Sequence, residues 1–429
     1  MKAPVLRRTK RDLTITAVII AVSAAALGIV AVNAPARHSS LDAHLVSADA
    51  PFQAPAASEG YPVAATEVAR VTFTPVSGLS KPLIVDGVLA VPHETSVEGV
   101  NPADGSSLWT YTRDKKVCSL AATLGSVITT FDNQDAGCGD VVAVTATTGA
   151  YRATRSDIAA ENVVPIQSND AAGTVASTRL ELWRNDLVRT VEYGLPMAPQ
   201  EGDFQPDQDC TITSALTRKA NLVVSNTCPD KPDTTTLRIQ KRDPADSRKP
   251  EVSRVVDTST LGSVLVAVGQ EGMAAYLPAA QPIIISFDKE GKELARTTVE
   301  PAPLLQGHTT ELFAPATADL PHHMTWFDGA RLYLFRPDTL AVDRIVEGVL
   351  GTGVATADRL IVPNTQGLAV VNWDNGAVEE EIPVDREGYS GPISLAIAGD
   401  TIVEQRGDTY VSLKLTRGQA PAPVHPENQ

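Results

Sequence analysis

Aromatic residues and positive charge are both scarce in this sequence. Aromatic side chains make up 5% of its 429 residues, and 51 acidic residues outnumber 36 basic ones, which gives a net charge of −15. A surface this acidic repels nucleic acid, and few aromatic rings are present on which bases would stack. We therefore expect no nucleic-acid partner.

Recognisable catalytic motifs are missing as well. The sequence has no nucleophile elbow, no paired-histidine zinc motif and no glycine-rich phosphate loop. His322 and His323 are neighbours on a predicted strand, so their side chains should face opposite sides and share no metal. Asp132, Asp135 and Asp140 could surround calcium, but the closing glutamate of an EF-hand is absent, and a solvated turn is the alternative. We expect no catalytic residue, metal or cofactor, and thus no enzyme.

One long apolar run lies near the N-terminus. Residues 13–32 carry no charge and follow a basic segment, residues 1–12. As a helix the run would rise about 30 Å, enough to cross the hydrocarbon core once, with the basic segment cytoplasmic. A cleaved signal peptide is the alternative, but its apolar region is usually shorter. We predict a single-pass anchor in the cell membrane, with the rest of the chain extracytoplasmic.

Between two unpatterned stretches the chain consists of short β-rich runs. Residues 33–66 and 419–429 are rich in Ala and Pro without apolar periodicity, which predicts a flexible linker and a disordered tail. From 67 to 418, runs of β-forming residues alternate with Gly, Asp and Asn turns, and helical periodicity is absent.

These runs repeat about every 45 residues. The clearest unit, Pro82–Thr112, contains four predicted strands with a tight turn at Asp86-Gly87. Four strands per unit at this period indicate a β-propeller. Val68–Pro75 is a spare strand before the first unit, and the last unit lacks its fourth, so the two should pair and close the ring. We predict an all-β, eight-bladed propeller over residues 67–418, with seven blades as the alternative.

The only four cysteines are Cys118, Cys138, Cys210 and Cys228. They lack the spacing of a zinc site or a redox pair, so an even number outside the cytoplasm indicates structural disulfides, with three pairings open in principle. In the predicted blades, each pair places one cysteine at the first strand and the other after the second strand. We therefore expect the pairs 118–138 and 210–228 at one rim.

The phrases GVLAVPHETSVEGVNPADGSSLWTYT and GLAVVNWDNGAVEEEIPV resemble the repeat of quinoprotein-like (PQQ-like) propellers. The resemblance covers nearly all of residues 67–418 and implies the fold. In the dehydrogenases of that family the cofactor sits against a vicinal disulfide, with calcium ligands and a catalytic aspartate around it. This chain has no adjacent cysteines. Because the vicinal disulfide is absent, we do not favour the enzyme of that family. A quinone- or calcium-dependent propeller enzyme stays as the alternative function.

The order of anchor, Ala/Pro-rich linker and acidic propeller more loosely resembles the polar growth factor A family of mycolate-making actinobacteria. That family works with the lipid transporter that exports trehalose monomycolate. The resemblance implies a non-catalytic binding or scaffold protein of the cell envelope that assists lipid transport and polar growth. The implied partner is an envelope protein such as a lipid transporter, or an acylated envelope lipid.

Two insertions interrupt the repeat, at residues 194–209 and 300–322. Both join an outer strand to the next inner strand, so they should lie on the rim that carries the disulfides. Long loops on a rigid scaffold often bind partners, and apolar loop residues suit a protein or an acyl chain. In the alternative, these side chains merely cap the blades. The predicted binding rim consists of His93, Glu94, Leu195, Met197, Phe204, Leu304, Leu305, His308 and Phe313.

Overall fold

Short antiparallel strands form eight separate sheets in the computed structural model. The structure describes residues 9–32, 34, 37–197, 202, 204–356 and 358–419. One helix, α1 (Lys10–Val32), precedes the sheets, has no buried residue, and is long and apolar enough to cross a membrane. The predicted tail, apart from residue 419, lies outside the described residues, as does most of the segment 1–12.

Two strands precede the first repeat: β1 (Ser39–Ala43) and β2 (Tyr61–Thr72). Blades 1 and 2 contain β3 (Leu83–Val85), β4 (Val88–Pro92), β5 (Ser96–Val100), β6 (Ser107–Arg113), and β7 (Val117–Thr123), β8 (Ser126–Phe131), β9 (Asp140–Thr145), β10 (Tyr151–Ser156). Blades 3 and 4 contain β11 (Val164–Ser168), β12 (Ala171–Val175), β13 (Arg179–Trp183), β14 (Arg189–Gly194), and β15 (Thr211–Arg218), β16 (Asn221–Cys228), β17 (Lys231–Lys241), β18 (Val252–Asp257).

The second half follows the same plan. Blades 5 and 6 contain β19 (Val264–Val268), β20 (Gly272–Leu277), β21 (Ile283–Asp288), β22 (Glu293–Thr298), and β23 (Thr317–Asp319), β24 (Met324–Phe327), β25 (Arg331–Phe335), β26 (Val342–Glu347). Blades 7 and 8 contain β27 (Val354–Thr356), β28 (Arg359–Pro363), β29 (Gly367–Asn372), β30 (Val378–Pro383), and β31 (Ile393–Ala398), β32 (Thr401–Arg406), β33 (Thr409–Gly418), completed by β2.

The eighth blade closes the ring as predicted. β2 pairs antiparallel with β33 along its whole length, from Tyr61 opposite Gly418 to Thr72 opposite Thr409. The closing strand therefore begins seven residues earlier than the predicted Val68. The expected eight blades are confirmed, and the seven-bladed alternative is wrong.

Two parts of the segment predicted as a flexible linker, residues 33–66, form strands. β1 pairs with the outer strand β6, with Ser39 opposite Arg113 and Ala43 opposite Trp109, and so gives blade 1 a fifth strand. Farther along, the Ser58 hydroxyl donates to Asp400 on blade 8, and β2 begins at Tyr61. The composition gives no sign of β1, because this strand gains its hydrogen bonds from the edge of blade 1 and buries little side-chain area.

The blades pack face to face, so strands are buried on both sides. β4 and β19 have every residue buried, as strands covered on both faces require. Between blades 1 and 2 the indole of Trp109 is fully buried, and its Nε1 donates to the carbonyl oxygen of Ala146 at 2.7 Å. Both predicted disulfides, 118–138 and 210–228, are confirmed.

The two ends of the blades are named here by their loops. The upper rim consists of the loops from second to third strand and from fourth strand to the next blade. The lower rim consists of the loops from first to second and from third to fourth strand. β1 begins at the upper rim, because Ser39 pairs with Arg113 at the upper end of β6.

Candidate functional site

Three apolar side chains of the predicted binding rim are exposed on the upper rim. Leu195 and Met197 are each 40% exposed, and Leu304 is 49% exposed. Leu195 is fixed by its N–H, which donates to the Thr178 carbonyl oxygen at 2.8 Å, and Leu304 by a similar bond to Asp328 at 3.0 Å. We call these three exposed residues the rim leucines and methionine.

Leu305 belongs to the interior and Phe313 is half-buried, in contrast to their predicted place in an exposed rim. Leu305 is 6% exposed and packs in the core of blades 4 to 6, because the single turn Pro303–Leu305 points it inward. Phe313 packs partly against the same core. The His308 ring lies 5.7 Å from that of Phe313, and burial lowers the pKa of His308 although Glu311 opposes this.

His93 and Glu94 do not act as a pair. The His93 Nε2 lies 3.2 Å from a carboxylate oxygen of Glu98, on the following strand, and this hydrogen bond lowers the pKa of Glu98. Glu94 is exposed, and its backbone oxygen accepts from the N–H of Val117 at 2.9 Å. The acid beside the His93 ring is therefore Glu98, five positions along the chain, rather than the neighbouring Glu94.

Phe204 leaves the upper rim. Arg248 and Lys249, in a lower-rim loop of blade 4, place their cationic groups 5.3 Å and 5.5 Å from the centre of its ring. Residues 204 and 205 of the first insertion therefore lie between the outer strand of blade 3 and the β17–β18 loop of blade 4. There the Gln205 amide donates to the Glu192 carbonyl oxygen at 3.0 Å and fixes the segment.

Two acidic groups near the disulfides are already neutralised. The buried carboxylate of Asp140 lies 2.8 Å from a guanidinium nitrogen of Arg113 and 2.6 Å from the ammonium of Lys115. Asp207 lies beside the disulfide Cys210–Cys228 and pairs with Arg238, and burial raises its pKa. With its sulfurs bonded to each other and its carboxylate paired, that group does not offer a metal site.

His322 and His323 lie in the turn before β24 rather than on a strand. Both rings contact the indole of Trp373, at centroid distances of 5.4 Å and 5.6 Å, so they do not face opposite sides. The Nε2 of His323 lies 3.1 Å from a carboxylate oxygen of Asp343. The cluster joins blades 6 and 7 at the lower rim.

The central channel was not predicted. It encloses about 900 Å³ and is bordered by the first strands of every blade except blade 5. Two loops cross its upper end: the segment 78–82, which contacts Val164 of blade 3, and the segment 312–315, whose Phe313 N–H donates to the Thr213 carbonyl oxygen of blade 4 at 2.7 Å. The second loop borders the channel in place of blade 5.

Comparison with known proteins agrees on the fold alone. No protein-family model and no curated protein matches the sequence. A computationally designed protein, Ika8, is similar with a TM-score of 0.51 at 11% identity, over 85% of this chain and 100% of its own. The quinohemoprotein alcohol dehydrogenase ADHIIG of Pseudomonas putida HK5 has a TM-score of 0.51 at 11% identity, over 84% of this chain and 78% of its own. BamB from Moraxella catarrhalis has a TM-score of 0.49 at 11% identity, over 82% of this chain and 99% of its own.

At 11% identity, the two structures with a TM-score of 0.51 show a likeness of fold and nothing more. A quinone cofactor held as the family resemblance implies does not fit this chain. Each disulfide joins residues 20 or 18 positions apart within one blade, so neither is vicinal. Of the acids considered for calcium, Asp140 is paired with two cations, and Asp132 accepts the backbone N–H of Gln134 at 2.9 Å.

The neighbouring leucines of the second insertion make a matched test of the rim. We expect Leu305→Ser to lower the free energy of unfolding by at least about 2 kcal/mol, since it removes a core side chain. Leu304→Ser should change it by less than about 0.5 kcal/mol. Chemical denaturation of the full chain measures both. Equal losses would show that Leu304 also belongs to the core.

Proposed function

We propose that this chain is a non-catalytic binding scaffold, held by α1 at the extracytoplasmic face of a membrane, whose upper rim contacts a membrane-embedded protein. The observation that carries the proposal is the short path from helix to blade. α1 ends at Val32, and β1 begins at Ser39 on the upper rim. The two disulfides support an oxidising compartment for the propeller.

Residues 33–38 limit how far the propeller can move from the membrane. A fully extended chain spans at most about 3.6 Å per residue, so over the seven steps from Val32 to Ser39 the upper rim at blade 1 stays within about 25 Å of the end of α1. His38 shortens this path, because its Nδ1 lies 3.2 Å from Asp114 and its Nε2 lies 3.2 Å from the carbonyl oxygen of Val32. A partner in the same membrane therefore meets the upper rim first.

The charge of the chain favours a protein over the lipid surface. With a net charge of −15, the chain is repelled by anionic headgroups and attracted to basic extracytoplasmic loops. The rim leucines and methionine supply apolar contact area. A transporter of envelope lipids, which the resemblance to the polar growth factor A family implies, lies in the same membrane and so within reach of the upper rim.

Lengthening the tether tests the proposal. A photoreactive amino acid at position 304 should crosslink one membrane protein in native membranes. A flexible 20-residue Gly/Ser insert between Ala34 and Pro35 should reduce that crosslink at least tenfold, because it dilutes the rim relative to its partner. Protein abundance and disulfide formation should stay unchanged.

The matched control places the same insert after Asn375, in an exposed lower-rim turn. This variant should keep the crosslink. An undiminished crosslink with the lengthened tether would contradict the proposal, and so would crosslinks to lipid alone.

A further inference from the structure

The central channel has the size of a small-molecule site. Its volume of about 900 Å³ falls within the range of roughly 300–1,000 Å³ that is usual for ligand pockets. The two crossing loops cover its upper end, and its other end is bordered by first-to-second strand turns such as Leu124-Gly125 and Asn169-Asp170. The cavity is therefore a cup inside the ring.

The walls of the cup carry apolar side chains that the protein itself does not cover. Leu79, Ile84, Val164, Leu216 and Ile397 come from four blades and a crossing loop, and each is only half-buried. A ligand with an apolar body would remove this surface from water, which is favourable at about 25 cal/mol per Å².

Lys81 enters the upper end of the cup, whereas Lys219, the other lysine on its lining, lies with Asp86 at the lower end. Lys81 borders the cavity and donates from its ammonium to the carbonyl oxygen of Thr317 at 3.1 Å. Within the described ranges no carboxylate forms an ion pair with it. The acid that influences it, Asp319, is held by Arg218 at 2.9 Å. Burial lowers the pKa of Lys81, and Asp319 only partly opposes this shift.

An ammonium has three donors, and the Thr317 carbonyl takes one of them. A half-buried, unpaired cation next to apolar walls is complementary to an anion that has an apolar body. We propose that the channel binds an amphiphilic anion, with its anionic head on Lys81 and its apolar body against the half-buried walls. The site lies inside the ring and does not depend on the proposed role of the upper rim.

Titration calorimetry on the full chain in phosphatidylcholine nanodiscs tests this, with empty nanodiscs subtracted. The probes are octanoate, monooctyl phosphate and neutral octanol. At least one anion should bind saturably, one per chain and at least tenfold more tightly than octanol. The tighter of the two anions identifies the head group as carboxylate or phosphate.

Two variants test separately the charge of Lys81 and the space in the cavity. Lys81→Met should remove the tenfold preference for anions, whereas Lys289→Met, at an exposed lysine paired with Glu271, should keep it. Ala122→Phe, on the channel wall, should abolish binding of all three probes while Lys81 stays in place. If Lys81→Met does not fold, the Ala122→Phe variant tests the proposal by itself. No saturable binding, an unchanged preference in Lys81→Met, or intact binding in Ala122→Phe would each overturn the proposal.

Discussion

Replacing Trp109 with alanine should lower the free energy of unfolding by about 3–5 kcal/mol. The indole is fully buried between blades 1 and 2, and its Nε1 donates to the Ala146 carbonyl oxygen at 2.7 Å. It lies over Gly99 and Gly149, where an added Cβ would come within 2.2 Å and 2.7 Å of the Trp109 side chain. The truncation therefore leaves a cavity that these backbones are too rigid to fill, and one buried carbonyl loses its donor.

Chemical denaturation of the full chain measures this loss. Tyr151→Ala, at an aromatic side chain that is 52% exposed on the outer strand of blade 2, is the matched control. It should change the free energy of unfolding by no more than about 0.5 kcal/mol. If Trp109→Ala costs no more than the control, the contact between blades 1 and 2 does not depend on the indole.

Replacing Glu404 with glutamine should destabilise the protein by about 3–5 kcal/mol. The Glu404 carboxylate is fully buried and lies 2.9 Å from a guanidinium nitrogen of Arg386 and 2.7 Å from one of Arg406. Arg386 also donates to the Gly367 carbonyl oxygen at 2.7 Å, so the group joins blades 7 and 8. A neutral amide in place of the carboxylate leaves two buried guanidinium groups without a counter-charge.

Glu387→Gln provides the control for charge removal, because Glu387 lies next to Arg386 in the loop between β30 and β31. Glu387 is exposed and lies 2.8 Å from a guanidinium nitrogen of Arg70, which is also well exposed. Such surface pairs contribute about 0–1 kcal/mol. Denaturation curves of the two variants should therefore differ clearly in midpoint. Similar midpoints would show that water or rearrangement compensates the buried pair.

The ring was predictable because its signals are local. Turns such as Asp86-Gly87 mark strand ends, and their spacing counts the blades without any knowledge of contacts. Pairing of the chain ends followed from an unequal number of strands at the two ends. The cysteines then paired correctly because a blade places the start of its first strand beside the end of its second.

Sequence reasoning missed the features that depend on contacts between segments distant in the chain. The residues of β1 carry no alternating pattern, and its pairing depends on the free edge of β6. Leu304 and Leu305 look alike in sequence, but one turn exposes the first and buries the second. The channel gathers side chains from seven blades, and its only sequence signal is a single lysine in the loop before β3.

Closure by β2 and β33 also determines when the protein can finish folding. Tyr61 is made well before its partner Gly418, which lies 418 − 61 = 357 residues farther along the chain, so β2 waits for every other blade to be made before it can pair. Contacts between residues so distant in sequence form slowly, because ordering the long intervening chain costs conformational entropy before the contacts stabilise the fold. Until then the incomplete ring exposes two strand edges, which are prone to aggregate. A chain that stops before β33 would therefore stay open and become a substrate for proteases and chaperones.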